Sequence, residues 1–392
     1  MSAPVTRRSR GFSLVELMVA LVIGMLALMF ATRIVLTGEQ NKQASLGGSD
    51  AMQNGMLALF SITSDVNQAG FGINDKLLAG CNTFFIDSSG YQLAQTTVNG
   101  APSTPLAAAV IQSNGTAPDQ LSLYSGASLT GTGSMVISQH AGGLINVASI
   151  PYGFAQNDVI VATNTAVGDG NRCAISQITS DPAALAPPPA QQSLRIDGTG
   201  RFTSGGLFGA TFTANASRVF NLGPANQLAF HTWSVDKGFL RLRATEMAGA
   251  SLIPQAVVDN VVSLKAQYGF DMRTGIAFQP NAGMVIGRWS PTMVDADGNG
   301  TIGNRTDYQH IAALRVAVVA RSKTPEKPDS AGLCSATTVL PKVFAAESPP
   351  GVAPVPINVD VAVANDPIAW QCYRYRVFET IVPLRNAGWR AP

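Results

Sequence analysis

Apolar residues are concentrated near the start of the chain. Residues 12–32 form a run of 21 positions in which only Ser13, Glu16 and Thr32 are polar. A helix that crosses a bilayer needs about 20 predominantly apolar residues, so this run predicts a transmembrane segment. No small-residue cleavage site of a secretory signal peptide occurs between Leu26 and Thr37. The segment is therefore expected to stay attached to the rest of the chain.

The hydrophobic pattern then changes to one that is typical of an amphipathic helix. Apolar residues recur three and four positions apart, at Met52, Met56, Leu59, Phe60, Ile62 and Val66. Gly47-Gly48 predicts a weak point, and Gly70-Phe71-Gly72 predicts the end of the helix. A helix from Phe12 to Gln68 would be about 85 Å long at 1.5 Å per residue. We expect one long helix over 12–70, with its first half in the membrane.

Short β-rich runs, separated by Gly, Ser, Asn and Pro, fill residues 71–392. The predicted strands are Ala109–Gln112, Gln120–Tyr124, Met135–Gln139, Val159–Thr163, Ala174–Ile178, Leu228–Trp233 and Phe239–Ala244. The apolar spacing in 252–265 favours a helix, whereas the continuous apolar run 312–320 indicates a buried strand. The proline-rich stretch 181–192 predicts an exposed loop and a subdomain boundary. The predicted fold is α+β, with a long N-terminal helix on a large β-rich head.

Composition narrows the functional class. The chain has 26 Lys+Arg and 24 Asp+Glu among 392 residues, and its net charge of +2 does not favour nucleic-acid binding. Three basic residues precede the apolar run and are expected to hold the N terminus in the cytoplasm, namely Arg7, Arg8 and Arg10. The head is therefore expected on the far side of the membrane.

The four cysteines are far apart in the sequence and form no C-x-x-C motif. In an oxidising compartment they would form two disulfides, and in the cytoplasm they would be buried free thiols. Of the three connectivities available, Cys81–Cys173 with Cys334–Cys372 closes the shortest loops. We expect this connectivity because the head is predicted to lie outside the cytoplasm.

A carboxylate inside a membrane span is costly, which makes Glu16 a candidate functional residue. The run from Gly11 to Leu21, GFSLVELMVAL, resembles the type IV prepilin motif. That resemblance implies that residues 1–11 are a leader peptide, that a prepilin peptidase cuts after Gly11, and that the new amine of Phe12 is methylated. The alternative is an ordinary single-span anchor in which the glutamate is coincidental.

Further blocks are similar to the minor pilin family PilW. They are Gln53–Phe71, Val261–Asp271, Leu314–Ser322 and Arg374–Asn386, whereas the region between about Gly90 and Ser217 matches poorly. The resemblance implies a minor pilin with an inner-membrane anchor and a periplasmic head, which later joins a pilus. Its expected partners are prepilin peptidase, the major pilin and other minor pilins, and Glu16 is expected to act in subunit assembly.

One stretch has the spacing of a metal-binding loop. Asp295, Asp297 and Asn299 occupy alternate positions, Gly300 follows, and Thr301 would offer its carbonyl, as in the first half of an EF-hand. The twelfth position is Thr306 and not Glu, and Asp307 comes one residue late. The sequence leaves a structural Ca²⁺ site and an ion-free turn as alternatives; no other cofactor is expected.

Catalysis has little support in the sequence. The three histidines lie far apart, and the chain contains no G-x-S-x-G or P-loop motif. We therefore expect a minor pilin that is not an enzyme and that acts in pilus assembly priming or in a tip complex. The alternatives are a type II secretion minor pseudopilin and a pilus-tip adhesin or calcium-dependent binding module.

Overall fold

The computed structural model describes residues 13–128, 133–166, 172–182, 192–203 and 212–388. Within these ranges two α-helices are assigned, α1 (Leu14–Gln68) and α2 (Arg385–Gly388). The strands in the first part of the head are β1 (Cys81–Phe84), β2 (Thr96–Val98), β3 (Ala101–Ser103), β4 (Pro105–Leu106), β5 (Ala109–Gln112), β6 (Gln120–Ser125), β7 (Ser134–Ala141), β8 (Leu144–Val147), β9 (Asp158–Asn164), β10 (Cys173–Gln177), β11 (Ser193–Arg195) and β12 (Ser217–Pro224). The later strands are β13 (Ala229–Asp236), β14 (Phe239–Ala244), β15 (Gln255–Asp259), β16 (Val261–Phe270), β17 (Arg288–Ser290), β18 (Ile311–Arg321), β19 (Lys342–Val343), β20 (Ile357–Asn358) and β21 (Tyr375–Pro383). The α+β class is confirmed.

Helix α1 has two halves with different surroundings. Its first part, Leu14–Leu36, has a mean hydropathy of 2.6 and no residue buried against the head, and it is long enough to cross a membrane. Its last turns bury small and aliphatic residues against the head: Ala51, Ala58, Ile62 and Val66. The helix is continuous through Gly47-Gly48, so the predicted weak point does not interrupt it. Past its last residue, Gly70 has φ +86°, a conformation that favours glycine and turns the chain away from the helix.

Three larger sheets make up most of the described head. A four-stranded sheet, β17-β16-β18-β21, and a five-stranded sheet, β15-β14-β13-β6-β5, pack around α1. An eight-stranded sheet has the order β11-β8-β7-β12-β9-β10-β1-β4, in which β1 and β10 are parallel neighbours. The hairpin β2-β3 and the pair β19-β20 are separate two-stranded sheets.

The predicted helix over 252–265 is wrong, because this stretch forms β15 and the first half of β16. Asn260 separates the two strands with φ +55°, so the chain turns sharply there and enters a second sheet. Strand β16 is buried along all ten residues, so its polar residues Ser263, Lys265 and Gln267, which alternate with apolar ones, are buried as well. The predicted strand at 312–320 is confirmed as part of β18.

The head has a membrane-proximal end and a distal end. Gly47 of α1 lies against Ser322, just beyond β18, and Asn386 donates hydrogen bonds to the carbonyls of residues 67–69 at the other end of the helix. Strand β18 therefore runs antiparallel to α1. The connection 271–310 joins β16 to β18 at the distal end, and we call it the distal connection.

A second long connection also starts at the distal end. Ser125 pairs with Ala229, and Gly126 donates to the carbonyl of Phe71, just past α1. Residues 126–228 form what we call the insertion lobe, whose second hydrophobic core includes Ile137, Ile160, Ile178, Leu194, Ile196 and Val219. Residues 183–191 of the predicted boundary at 181–192 lie outside the described residues, and the described residues on its two sides contribute to this same core.

Two disulfides have the connectivity with the shortest loops. Cys81–Cys173 joins β1 to β10, and Cys334–Cys372 closes part of the long excursion between β18 and β21. Each bridge constrains the unfolded chain and can contribute about 2–4 kcal/mol.

Candidate functional site

The described residues of the prepilin motif, from Ser13 to Leu21, lie at the start of α1. Gly11, Phe12 and the rest of the predicted leader lie outside the described residues. Glu16 lies in the first turn of α1, on a stretch whose side chains are all exposed. No ion pair involves Glu16 within the part of the chain that the structure describes. The carboxylate is therefore presented away from the head, inside the segment that is long enough to span a membrane.

A polar cluster fixes the end of α1 to the five-stranded sheet. Asp65 accepts hydrogen bonds from Trp233 Nε1 at 2.7 Å and contacts His231 Nδ1 at 2.7 Å, while His231 Nε2 contacts Glu246 at 2.6 Å. Burial alone would lower the pKa of His231, but its hydrogen bonds to Asp65 and Glu246 outweigh that effect and raise the pKa to about 9. The cationic imidazolium therefore links two carboxylates, one on the helix and one beyond β14.

The opposite face of the same helical segment is apolar and exposed. Met52, Met56 and Phe60 are spaced four residues apart and are 47%, 55% and 71% exposed, with Leu57 beside them at 52%. Because residues four apart lie on one side of a helix, these side chains form a stripe directed away from the head.

The predicted metal-binding loop, which we call the acidic loop (residues 295–307), lies in the distal connection. Ligand oxygens of Asp295, Asp297 and Asp307 lie within 4.8 Å of one another. Burial raises the pKa of Asp307 to about 6, although backbone N–H groups of Ala296, Asp297 and Gly303 bond its carboxylate and act in the opposite direction. The sequence placed Asp307 one residue too late for an EF-hand, but the short 3-10 helix Asp307–His310 brings its carboxylate back to the loop.

Two of the other predicted ligands make hydrogen bonds within the loop. Asn299 donates from Nδ2 to Asp297 and accepts from the backbone of Thr301, and the Thr301 carbonyl accepts from Asn304. Asp295 accepts three backbone hydrogen bonds, from Gly298, Asn299 and Gly300. The loop is therefore held in a fixed shape with its carboxylates close together.

The histidines do not form a catalytic cluster. His231 belongs to the polar cluster at the end of α1, and buried His310 stacks on Phe278 with 3.6 Å between ring centroids. His140 lies in the insertion lobe, on β7.

Comparison with known families assigns two stretches of the chain. Residues 233–386 match the family described as type IV pilus-assembly protein W, PilW, and residues 6–32 match the prokaryotic N-terminal methylation motif. The two matches are those of a type IV pilus PilW-like minor pilin. No curated protein and no solved structure matches the chain.

The PilW match coincides with the strands that hold α1. It begins at Trp233, which donates to Asp65, and ends at Asn386, which donates to the last carbonyls of the helix. The insertion lobe lies outside both matches. Most of the strands that position the pilin helix therefore lie within the PilW match, and the insertion lobe, which starts at the distal end, lies outside it.

Proposed function

We propose that this PilW-like minor pilin acts in the priming or tip complex of a type IV pilus, after cleavage between Gly11 and Phe12 and methylation of Phe12. The observation that carries the proposal is the division of α1. One half, Leu14–Leu36, has no contact with the head, and the other half is fixed to it. A subunit built in this way can leave the membrane with its head orientation unchanged and contribute its free half to a helical bundle.

The tip position is supported by the place of the insertion lobe. In a bundle of parallel subunits, the distal end of each head faces the subunits that lie farther from the membrane. The lobe and the distal connection both start at that end. Their bulk would obstruct subunits above them, and no such subunits exist at the tip.

The proposed role of Glu16 is to pair with the positive N-terminal amine of a neighbouring subunit. A lone carboxylate in lipid is costly, and an ion pair in a low-dielectric environment is much stronger than in water. Pairing would thus set the register between helices. The proposed partners are the major pilin and the other minor pilins, with prepilin peptidase acting earlier in the inner membrane.

Deletion of the chain tests the proposal. Loss of surface pili, restored by the wild-type gene, is the expected result, and immunogold labelling of restored pili should mark one end of each filament. Normal piliation with lost attachment would instead support the tip adhesin. A secretion defect with normal pili would support the type II secretion pseudopilin, and labelling along the whole shaft would contradict the tip position.

A structural Ca²⁺ ion in the acidic loop is a second proposal. The supporting observation is the approach of Asp307 to Asp295 and Asp297, because carboxylate oxygens are ligands that Ca²⁺ prefers. Asn299 Oδ1 and the Thr301 carbonyl would complete the oxygen set.

A calcium titration tests this second proposal. Because binding to the native state alone adds RT ln(1 + [L]/Kd) to stability, the melting temperature should rise with Ca²⁺, and chelation should reverse the rise. Asp297→Ala should abolish the response, with Mg²⁺ as the ionic-strength control. Identical melting curves for wild type with and without millimolar Ca²⁺ would leave the turn without an ion.

A further inference from the structure

Arg305 is a buried cation without an acidic partner among the described residues. It is 6% exposed, and its Nη2 donates to the carbonyl of Leu77 and to Thr163 Oγ1 at 3.3 Å. Its Nε and Nη1 have no hydrogen-bond partner in the described part of the chain. Asp75 attracts the guanidinium through space but forms no ion pair with it there. A buried charge that lacks a counter-charge is costly.

Other buried cations of the head are neutralised. Lys265, which is fully buried, binds Asp119 and the carbonyls of Gly115 and Ala117. Arg315, 3% exposed, binds Glu379 at 3.2 Å and the Ala346 carbonyl at 3.0 Å. Arg305 differs from both in having only neutral acceptors.

Arg305 also lines a pocket of about 230 Å³ between the hairpin β2-β3 and the distal connection. The polar residues that line the pocket with Arg305 are Asn82, Asn99, Ser103 and Asn304, and none of the lining residues is acidic. Asn82 uses its Oδ1 to accept from Thr104, which leaves its amide N–H groups as donors. The lining is therefore suited to a negatively charged ligand.

One wall of the pocket is formed by a hairpin that belongs to no larger sheet. The hairpin β2-β3 pairs with no other strand, and a two-stranded hairpin has little stability of its own. Nε and Nη1 of Arg305 are shielded from solvent, so a ligand in the pocket reaches them only when the groups around the guanidinium move slightly. Binding would then connect the hairpin, the distal connection and, through Thr163, the insertion lobe.

We propose that this pocket binds a small oxyanion, a carboxylate in the first place, with Arg305 as its charge partner. A carboxylate accepts hydrogen bonds from guanidinium and amide N–H groups, and charge-assisted bonds of this kind are about twice as strong as neutral ones. The carboxylate can come from a free acid or from an acidic side chain of a neighbouring subunit.

Thermal unfolding of the full-length chain in detergent tests the proposal, with sodium acetate, phosphate and sulfate compared with chloride at equal ionic strength. An oxyanion at about ten times its Kd should raise the melting temperature by about 2–4 °C. Arg305→Met should remove this response without lowering the melting temperature in chloride, because it removes an uncompensated charge. The matched control Arg315→Met should lower the melting temperature but keep the response.

A second variant supplies the counter-charge within the chain. Asn82→Asp has nearly the same shape, so it should raise the melting temperature in chloride and abolish the oxyanion response. An equal rise in wild type and Arg305→Met would be a general salt effect and would overturn the proposal, as would the absence of any rise in wild type. Retained co-purification of Arg305→Met with other minor pilins would assign the site to a free acid, and lost co-purification to a subunit carboxylate.

Discussion

Both halves of α1 expose large apolar side chains, but only the second half packs against the head. In the first half, Leu14–Leu36, every described side chain is exposed and none contacts the head. In the second half, Ala51, Gly55 and Ala58 let the helix approach the sheet closely, and Asp65 fixes its end. The first half is thus suited to lipid and to other helices, whereas the position of the second half is fixed by contacts within this chain.

Exposed apolar side chains have a different significance in the two halves of the helix. The exposed residues of Leu14–Leu36 fit a membrane environment, whereas the stripe of Met52, Met56 and Phe60 lies beside a well-packed interface, where lipid is not expected. Large apolar side chains grouped in this way commonly mark an interaction surface. Changes in the first half should affect processing and assembly, and changes on the packed face of the second half should affect the stability of the head.

The largest expected effect is on processing. Gly11→Val should block cleavage completely, because the branched side chain occupies the position that the prepilin motif reserves for glycine. N-terminal sequencing of membrane fractions that contain active prepilin peptidase should find Phe12 first in wild type and Met1 in the variant. Intact Met1 in the wild type would contradict the assignment of the leader, and melting of the head should be the same in both proteins.

The next largest effect is expected from substitution of Glu16, which should impair assembly without impairing membrane insertion. Glu16→Val should leave cleavage and membrane insertion intact but weaken association with other pilins, since removal of one member of a buried ion pair costs about 3–5 kcal/mol. Co-purification and piliation counts measure the loss. Glu16→Gln keeps the size of the side chain without the charge and should show the same defect. Wild-type association of processed Glu16→Val would leave the carboxylate without an assembly role.

Local patterns were sufficient to predict much of the fold. The predicted bounds of Ala109–Gln112 and Phe239–Ala244 agree with β5 and β14 because turns delimit both runs clearly. The error at 252–265 arose because Val257 and Val261, and likewise Val258 and Val262, lie four positions apart as in a helix, although each pair is divided between β15 and β16. Sheet order and the distal position of the insertion lobe depend on pairs far apart in the chain, which no local pattern reveals.

The candidate sites, too, could be predicted only as far as they depend on residues close together in the chain. The spacing of Asp295 and Asp297 was visible, but the contribution of Asp307 depends on a short 3-10 helix that folds the chain back. The contact between Asp65 and His231 joins residues 166 positions apart. Arg305 gave no signal in the sequence, because an arginine lacking an acidic partner is recognised only from its burial and its neighbours.

The pH dependence of stability tests the fixed half of α1. The raised pKa of His231, about 9 against 6.5 in the unfolded chain, stabilises the head fully below pH 6.5. This stabilisation, about 3 kcal/mol, is lost as the pH rises to 9. Chemical denaturation from pH 6.5 to 9 should show the loss in wild type, and His231→Gln should flatten it. His140→Gln is the control, because burial lowers the pKa of His140 and its titration lies below this window. An unchanged slope in His231→Gln would exclude the imidazolium as its cause.

The smallest effect comes from two glycines within the same helix. A Cβ at Gly55 would meet the ring of Phe378, whereas a Cβ at Gly48 would have no atom within 4 Å. Alanine stabilises a helix by about 1 kcal/mol relative to glycine, but inserting a methyl group into a close-packed contact typically costs about 1–3 kcal/mol. Gly48→Ala should therefore raise the free energy of unfolding by up to about 1 kcal/mol, and Gly55→Ala should lower it by up to about 2 kcal/mol. Adding Phe378→Leu to Gly55→Ala should recover part of the loss, because the smaller side chain gives the new methyl group room. Equal stabilisation by both alanines would mean that the helix does not rest on β21, and the contrast between the two halves of α1 would then begin farther along the chain than Gly55.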